Sequence, residues 1–121
     1  MNLKCLGYKA LDRFRKSRLG AKMFYSGVMI TSKPNVIVCG TVIRAVEPET
    51  DGDLCFDVTL EDGQYRHCEV TPCANDETKK RAQVLKVGMK VQLTGDERFD
   101  PKHLGTAGWW EIHPVNSIEV L

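Results

Sequence analysis

Three residues near the C-terminus have side chains that can do chemistry and recur at every second position: Trp109, Glu111 and His113. Alternate residues of an extended strand share a face, so a strand here would point all three the same way. The intervening residues, Trp110 and Ile112, are more apolar and are expected to face the interior of the domain. The sequence therefore predicts Trp109, Glu111 and His113 together on an outer or rim surface.

Two further residues of this kind, Asp100 and His103, precede this segment in a predicted loop over residues 96–107. Together with Glu111 and His113 they make two histidines and two carboxylates, which could bind a divalent metal ion or perform acid–base chemistry. In the structural alternative, Glu111 hydrogen-bonds His113 or a loop amide and holds the loop against the strand. Ligands split over a loop without fixed spacing favour that alternative. No catalytic residue, metal ion or cofactor is therefore predicted.

The indole of Trp109 offers a flat π face on which a base or a sugar ring can stack. The alternative is a rim tryptophan that covers one end of the domain against the N-terminal helix. Tyr65 on the same outer surface would support stacking. Phe56 would not, because it shares the inward phase of its own strand.

The cysteines give weaker signals. His67, Cys68 and Cys73 resemble half of a zinc site, but there is no second cysteine pair downstream, so structural thiols are favoured. Five cysteines without a framework spacing fit reduced thiols and predict a cytoplasmic protein, although two pairs and one free thiol remain possible. No G-x-S-x-G, phosphate-loop or dinucleotide motif is present.

The charge is unevenly distributed. Residues 1–34 contain eight lysines and arginines and one acidic residue, a net charge of +7, whereas residues 35–121 have a net charge of −6. A basic arm of this kind is either a footprint for nucleic acid or a segment that neutralises its own acidic body. In the first case the expected contacts are Arg13, Arg15, Lys16 and Arg18.

These residues must be positioned by one small domain. The periodicity predicts a basic amphipathic helix over residues 3–19 and a turn at residues 32–35, which divides the chain into an arm (1–34) and a main domain (35–121). In the main domain we expect a helix between residues 72 and 87 and strands at 36–46, 54–60, 65–71, 89–95 and 108–121. Gly40 indicates a bend, and Asp62-Gly63 indicates a hairpin turn. No window is apolar enough for a membrane span or a signal peptide, so no membrane partner is expected.

The segments V-C-G-T-V-I-R-A-V, F-D-V-T-L-E-D-G and V-G-M-K-V-Q-L-T-G resemble strands 1, 2 and 4 of an OB-fold (oligonucleotide/oligosaccharide-binding fold). That resemblance implies a mainly β, five-stranded Greek-key barrel with a helix between strands 3 and 4, here joined to an N-terminal basic helix. The ending G-W-W-E-I-H-P-V is similar to that of short, uncharacterised bacterial OB-like proteins with a D-x-x-H-G-W-x-E-I-H-P-V pattern. In this sequence, residues 104–107 separate His103 from Gly108.

These observations predict a non-enzymatic binding module for single-stranded nucleic acid or another polyanion, held by the basic arm and stacked on Trp109. The first alternative is a protein-interaction or self-association module, in which an apolar strap at residues 23–30 and the basic helix meet an acidic partner. The second is a metal-dependent enzyme that uses the two carboxylates and two histidines described above: Asp100, His103, Glu111 and His113.

Overall fold

The computed structural model describes residues 3–16, 32–48, 52–100 and 108–121. No helix in these ranges is long and apolar enough to cross a membrane. The elements, in chain order, are α1 (Leu3–Lys16), β1 (Ser32–Pro48), β2 (Leu54–Leu60), β3 (Tyr65–Val70), α2 (Asp76–Gln83), β4 (Lys90–Asp100) and β5 (Trp109–Val120).

The five strands close into a barrel in the order β1-β2-β3-β5-β4, with β4 returning to β1. Every neighbouring pair is antiparallel except β3 and β5, which run parallel. The expected mainly β, five-stranded OB-like barrel with a helix between strands 3 and 4 is confirmed.

β1 belongs to both sides of the barrel. Its first part pairs with β4, its last part pairs with β2, and Gly40 is in register with both Leu60 and Val91. A Cβ atom at Gly40 would lie 2.9 Å from the carbonyl oxygen of Thr59. Glycine thus permits the close backbone approach that the predicted bend requires.

The barrel interior is filled by alternate residues of all five strands. Phe56, predicted to face inward, is fully buried there. The hairpin between β2 and β3 turns at Gly63, whose φ of 86° is readily adopted only by glycine. The other large apolar side chains buried there include Val42, Val58, Val91, Leu93, Ile112 and Ile118.

Helix α2 closes one side of this core. Asn75 caps its N-terminus, since the side chain accepts a hydrogen bond from the Thr78 amide at 2.8 Å. Thr78 and Ala82 are buried. Arg81 donates to the carbonyl oxygen of Ile118 at 2.6 Å and ties α2 to β5.

Two predicted boundaries are wrong. The turn expected at residues 32–35 is the beginning of β1, where Asn35 (φ 55°) accompanies a break in register with β4. The loop expected from residue 96 starts later, because β4 continues to Asp100. The alternating sequence pattern ends at Gly95, where the register between β4 and β5 is irregular. Pairing with β5 continues beyond this irregularity and extends β4.

The expectation of five reduced thiols is also wrong. Cys5 in α1 and Cys73 after β3 form a disulfide, while Cys39, Cys55 and Cys68 form none. The partners are 68 residues apart, so spacing along the sequence gave no sign of the pair. Only the fold brings α1 next to the end of β3.

Candidate functional site

A polar face covers the outside of β2, β3 and β5. Phe56, Cys68 and Ile112 fill the core, so their chain neighbours point to the opposite side of the sheet. Across the strands, Asp57 lies opposite His67, and His67 lies opposite Glu111. The polar face consists of these three residues with Cys55, Tyr65, Glu69, Trp109 and His113.

Hydrogen bonds and ion pairs join most of these side chains into one chain of alternating charge. It runs from Arg44 to Asp57 (2.6 Å), to His67 (2.7 Å), to Glu69 (3.3 Å) and to His113 (2.8 Å). His113 also lies 3.6 Å from Glu111, which accepts a hydrogen bond from the Trp109 indole at 2.9 Å. Each charged group thus has an oppositely charged neighbour, as buried charges require.

Two of the three side chains predicted on an outer or rim surface are buried, and the third, Trp109, is half-buried. Trp109, Glu111 and His113 do share one side of β5, but Glu111 and His113 are only 6% and 5% exposed. Trp110 and Ile112 have the inward phase. Ile112 is in the core, and Trp110 is half-buried at a barrel end, where it packs against Phe99.

The Asp57–His67 pair is strongly ionic. Burial raises the pKa of Asp57, but hydrogen bonds from His67 and Arg44 outweigh it and lower the pKa to about 2. Burial lowers the pKa of His67, yet hydrogen bonds with Asp57, Cys55 and Glu69 raise it to about 12. At neutral pH this pair is therefore a carboxylate and an imidazolium.

Burial and hydrogen bonding also have opposite effects on the pKa values of Glu69 and His113. Burial opposes ionisation of Glu69, but hydrogen bonds from His113 and His67 lower its pKa far below the ordinary 4.5. Burial also lowers the pKa of His113, whereas Glu111 and Glu69 raise it to about 9. Glu69 is thus a carboxylate held between two protonated imidazoles.

An aromatic pair borders this ionic chain. The rings of Tyr65 and Trp109 are 5.4 Å apart and both residues are half-buried, while His67 stacks on Trp109 at 4.7 Å. Tyr65 thus lies on the outer surface beside Trp109, the arrangement that would support stacking, and Phe56 does not. The indole of Trp109 is thus in contact with the rings of both His67 and Tyr65.

Of the remaining predicted site residues, only Asp100 and Arg13 have side chains that the structure describes. Asp100 ends β4 and is in register with Trp109. Arg13 is exposed on α1, and the backbones of Arg15 and Lys16 belong to the same helix. The side chains of Arg15 and Lys16, together with Arg18, His103 and the strap at 23–30, lie outside the described residues.

Sequence reasoning missed Arg44, Asp57 and Glu69. A signal existed: in Cys55-Phe56-Asp57 and His67-Cys68-Glu69, polar or ionisable residues alternate with core residues. The pattern became meaningful only when pairing of β2 with β3 placed the two alternating sets side by side.

The sequence matches no protein-family model and no curated protein. The fold and the chemistry of the polar face therefore carry the functional argument.

Among the described residues, two groups of three side chains have ligand atoms close enough to hold a metal ion. One is Cys55, His67 and Glu69, and the other is Asp53, Glu69 and His113; within each group the ligand atoms lie within 4.8 Å of one another. Both groups share Glu69, and neither is the predicted set around His103.

Proposed function

We propose that this protein is a non-enzymatic OB-like binding module for single-stranded nucleic acid. The observation that carries the proposal is the aromatic pair Tyr65–Trp109, with rings 5.4 Å apart on the outside of β3 and β5. OB-folds bind oligonucleotides on the outer face of strands 2 and 3, where aromatic side chains stack on successive bases. Stacking of this kind requires no particular sequence, because every base has a π face.

Exposed cations on α1 support the proposal. Lys9 and Arg13 are exposed there, whereas Arg44, near the aromatic pair, is already paired with Asp57 and Glu47. The carboxylates of the polar face are neutralised by their own partners, which reduces the repulsion that an acidic barrel exerts on phosphates. Contacts with phosphates release counterions, so affinity is expected to fall steeply with salt.

Binding can be tested by fluorescence anisotropy with a labelled single-stranded oligonucleotide in about 50 mM salt. Stacking contributes about 1–3 kcal/mol per base, so Trp109→Ala and Tyr65→Ala are each expected to weaken binding roughly 5- to 150-fold. Trp110→Phe is the matched control, because Trp110 packs against Phe99 at a barrel end. Arg13→Ala should reduce the salt dependence by about one counterion if α1 contacts a phosphate.

Absence of binding at this salt concentration would refute the proposal, as would equal affinities of Trp109→Ala and the native protein. Binding that Trp109→Ala leaves intact but Arg13→Ala abolishes would indicate a polyanion held by charge alone. Equal binding of heparin would lead to the same conclusion.

A cytoplasmic location stays a prediction of the sequence, and the disulfide argues against it. Disulfides between distant residues persist in oxidising compartments and are rare where thiols are kept reduced. We propose that the protein works in an oxidising environment, which counting thiols in freshly isolated protein would test.

A further inference from the structure

Cys55, His67 and Glu69 bring three different donor atoms together on the polar face. Cys55 and Glu69 are directly opposite each other across β2 and β3, and His67 is two residues before Glu69 on the same side of β3. A sulfur, a ring nitrogen and a carboxylate oxygen from these residues all lie within 4.8 Å of one another. Rigid neighbouring strands position all three, which favours a preformed site.

His67 is oriented so that one ring nitrogen faces the other two donors. Its Nδ1 lies 2.7 Å from Asp57 Oδ1, and its Nε2 faces Glu69 Oε1 at 3.3 Å. Asp57 is in turn fixed by two contacts from Arg44, at 2.6 and 3.3 Å. A histidine held by a carboxylate through one nitrogen while the other binds metal is the usual arrangement around protein-bound zinc.

The donor types select the ion. Magnesium and calcium prefer oxygen ligands throughout, whereas a thiolate, an imidazole and a carboxylate together suit Zn²⁺. Bonds of about 2.3 Å to sulfur and about 2.0–2.1 Å to nitrogen and oxygen place tetrahedral ligands roughly 3.5 Å apart. His67 Nε2 and Glu69 Oε1 are already 3.3 Å apart. Only the Cys55 sulfur, within 4.8 Å of them, would have to move closer, which rotamer adjustment allows.

We propose that Cys55 Sγ, His67 Nε2 and Glu69 Oε1 bind one Zn²⁺ ion. Binding releases two protons, one from the Cys55 thiol and one from His67 Nε2, because only the thiolate and the neutral imidazole are ligands. Asp57 and Arg44 are positioning residues in this site. Water takes the fourth ligand position. The site does not depend on nucleic-acid binding, although His67 joins it to Trp109.

Cobalt provides a spectroscopic test, because Co²⁺ replaces Zn²⁺ and gives a near-ultraviolet charge-transfer band only when a thiolate is a ligand. Untagged protein with the Cys5–Cys73 disulfide intact is titrated with Co²⁺, and Zn²⁺ is then added. We expect saturation of the band at one equivalent and its loss when Zn²⁺ displaces Co²⁺. Cys55→Ser should abolish the band, whereas Cys39→Ser, the matched control on β1, should leave it unchanged.

Two further variants keep the test decisive if Cys55→Ser fails to fold, as judged by circular dichroism. Glu69→Gln retains the shape of the side chain but removes the carboxylate, and it should weaken Co²⁺ binding at least about tenfold. Asp57→Asn should weaken it about 10- to 100-fold without removing the band, since it acts only by orienting His67.

The proposal is overturned if no Co²⁺ binds, or if Co²⁺ binds without a charge-transfer band. The second result would place the ion at ligands other than sulfur, for which Asp53, Glu69 and His113 are the candidate group among the described residues. Loss of the band in Cys39→Ser would also overturn it, because the thiolate would then belong to another cysteine.

Discussion

At the scale of single residues, the polar face shows how ionised side chains can be buried together. The cations Arg44, His67 and His113 alternate with three carboxylates along one chain of contacts. Removing one member takes an opposite charge away from each of its buried neighbours, which can cost more than the pair itself contributes. The effects on stability of substitutions within this chain of contacts are therefore expected to be non-additive.

The protonation of this chain predicts how stability depends on pH. Above the ordinary histidine pKa of 6.5 the unfolded chain loses its proton, while His113 in the folded protein keeps it up to a pKa of about 9. The free energy of unfolding should therefore decrease from about pH 6.5 towards pH 9. On the acid side, the lowered pKa of Asp57, about 2, predicts a decrease as the pH falls through the ordinary 3.8.

Thermal melting across this range should show the highest Tm between roughly pH 5 and 6.5, with a decrease of several degrees by pH 9, because one pKa unit corresponds to about 1.4 kcal/mol. His113→Gln should lower Tm overall and reduce the alkaline decrease. A Tm that is constant from pH 6 to 9 in the native protein would contradict the ionic description of His113.

At the scale of elements, the neighbouring strands β4 and β5 approach each other closely at Gly95. A Cβ atom at Gly95 would overlap the carbonyl oxygen of Pro114 and lie 2.8 Å from Ile112 Cγ2. Register breaks on both sides of Gly95 mark the same place. This close approach of β4 and β5 thus requires a residue without a side chain at position 95.

Gly95→Ala is expected to destabilise the protein by about 1–3 kcal/mol, the usual cost of overfilling a packed interior. Gly7→Ala is the matched control, because no neighbouring atom of the described residues lies within 4 Å of a Cβ atom there. Alanine also favours helix α1 by up to about 1 kcal/mol. Urea denaturation of both variants measures the difference. Equal stabilities would show that β5 can move away from β4 at little cost.

At the scale of the whole molecule, the Cys5–Cys73 disulfide connects helix α1 to the barrel. Closing a loop between residues 68 apart in the unfolded chain removes entropy worth about 4 kcal/mol in the loop-closure model. The disulfide therefore fixes where the basic helix lies as well as how stable the fold is.

Replacing both cysteines (Cys5→Ser with Cys73→Ser) should lower the free energy of unfolding by about 2–4 kcal/mol in urea, whereas Cys39→Ser should change it little. Thiol titration of the denatured native protein should find three free thiols before reduction and five afterwards. Five thiols before reduction would exclude the disulfide in that preparation.

The sequence by itself determined the element order of the barrel. Alternation in Leu54-Cys55-Phe56-Asp57-Val58 and the glycines Gly40 and Gly63 are local signals, and each predicted its element correctly. Their causes, side-chain period and backbone sterics, act over a few neighbouring residues and can be read from the sequence alone.

Only the tertiary structure decided which polar residues meet. Arg44, Asp57, Glu69 and His113 come from four strands, and their contacts depend on register and barrel closure. The same holds for the Cys5–Cys73 pair and for the burial of Glu111, which sequence reasoning had placed on the surface. Such contacts join residues far apart in the chain, and their energies depend on the surrounding burial, which no local pattern encodes.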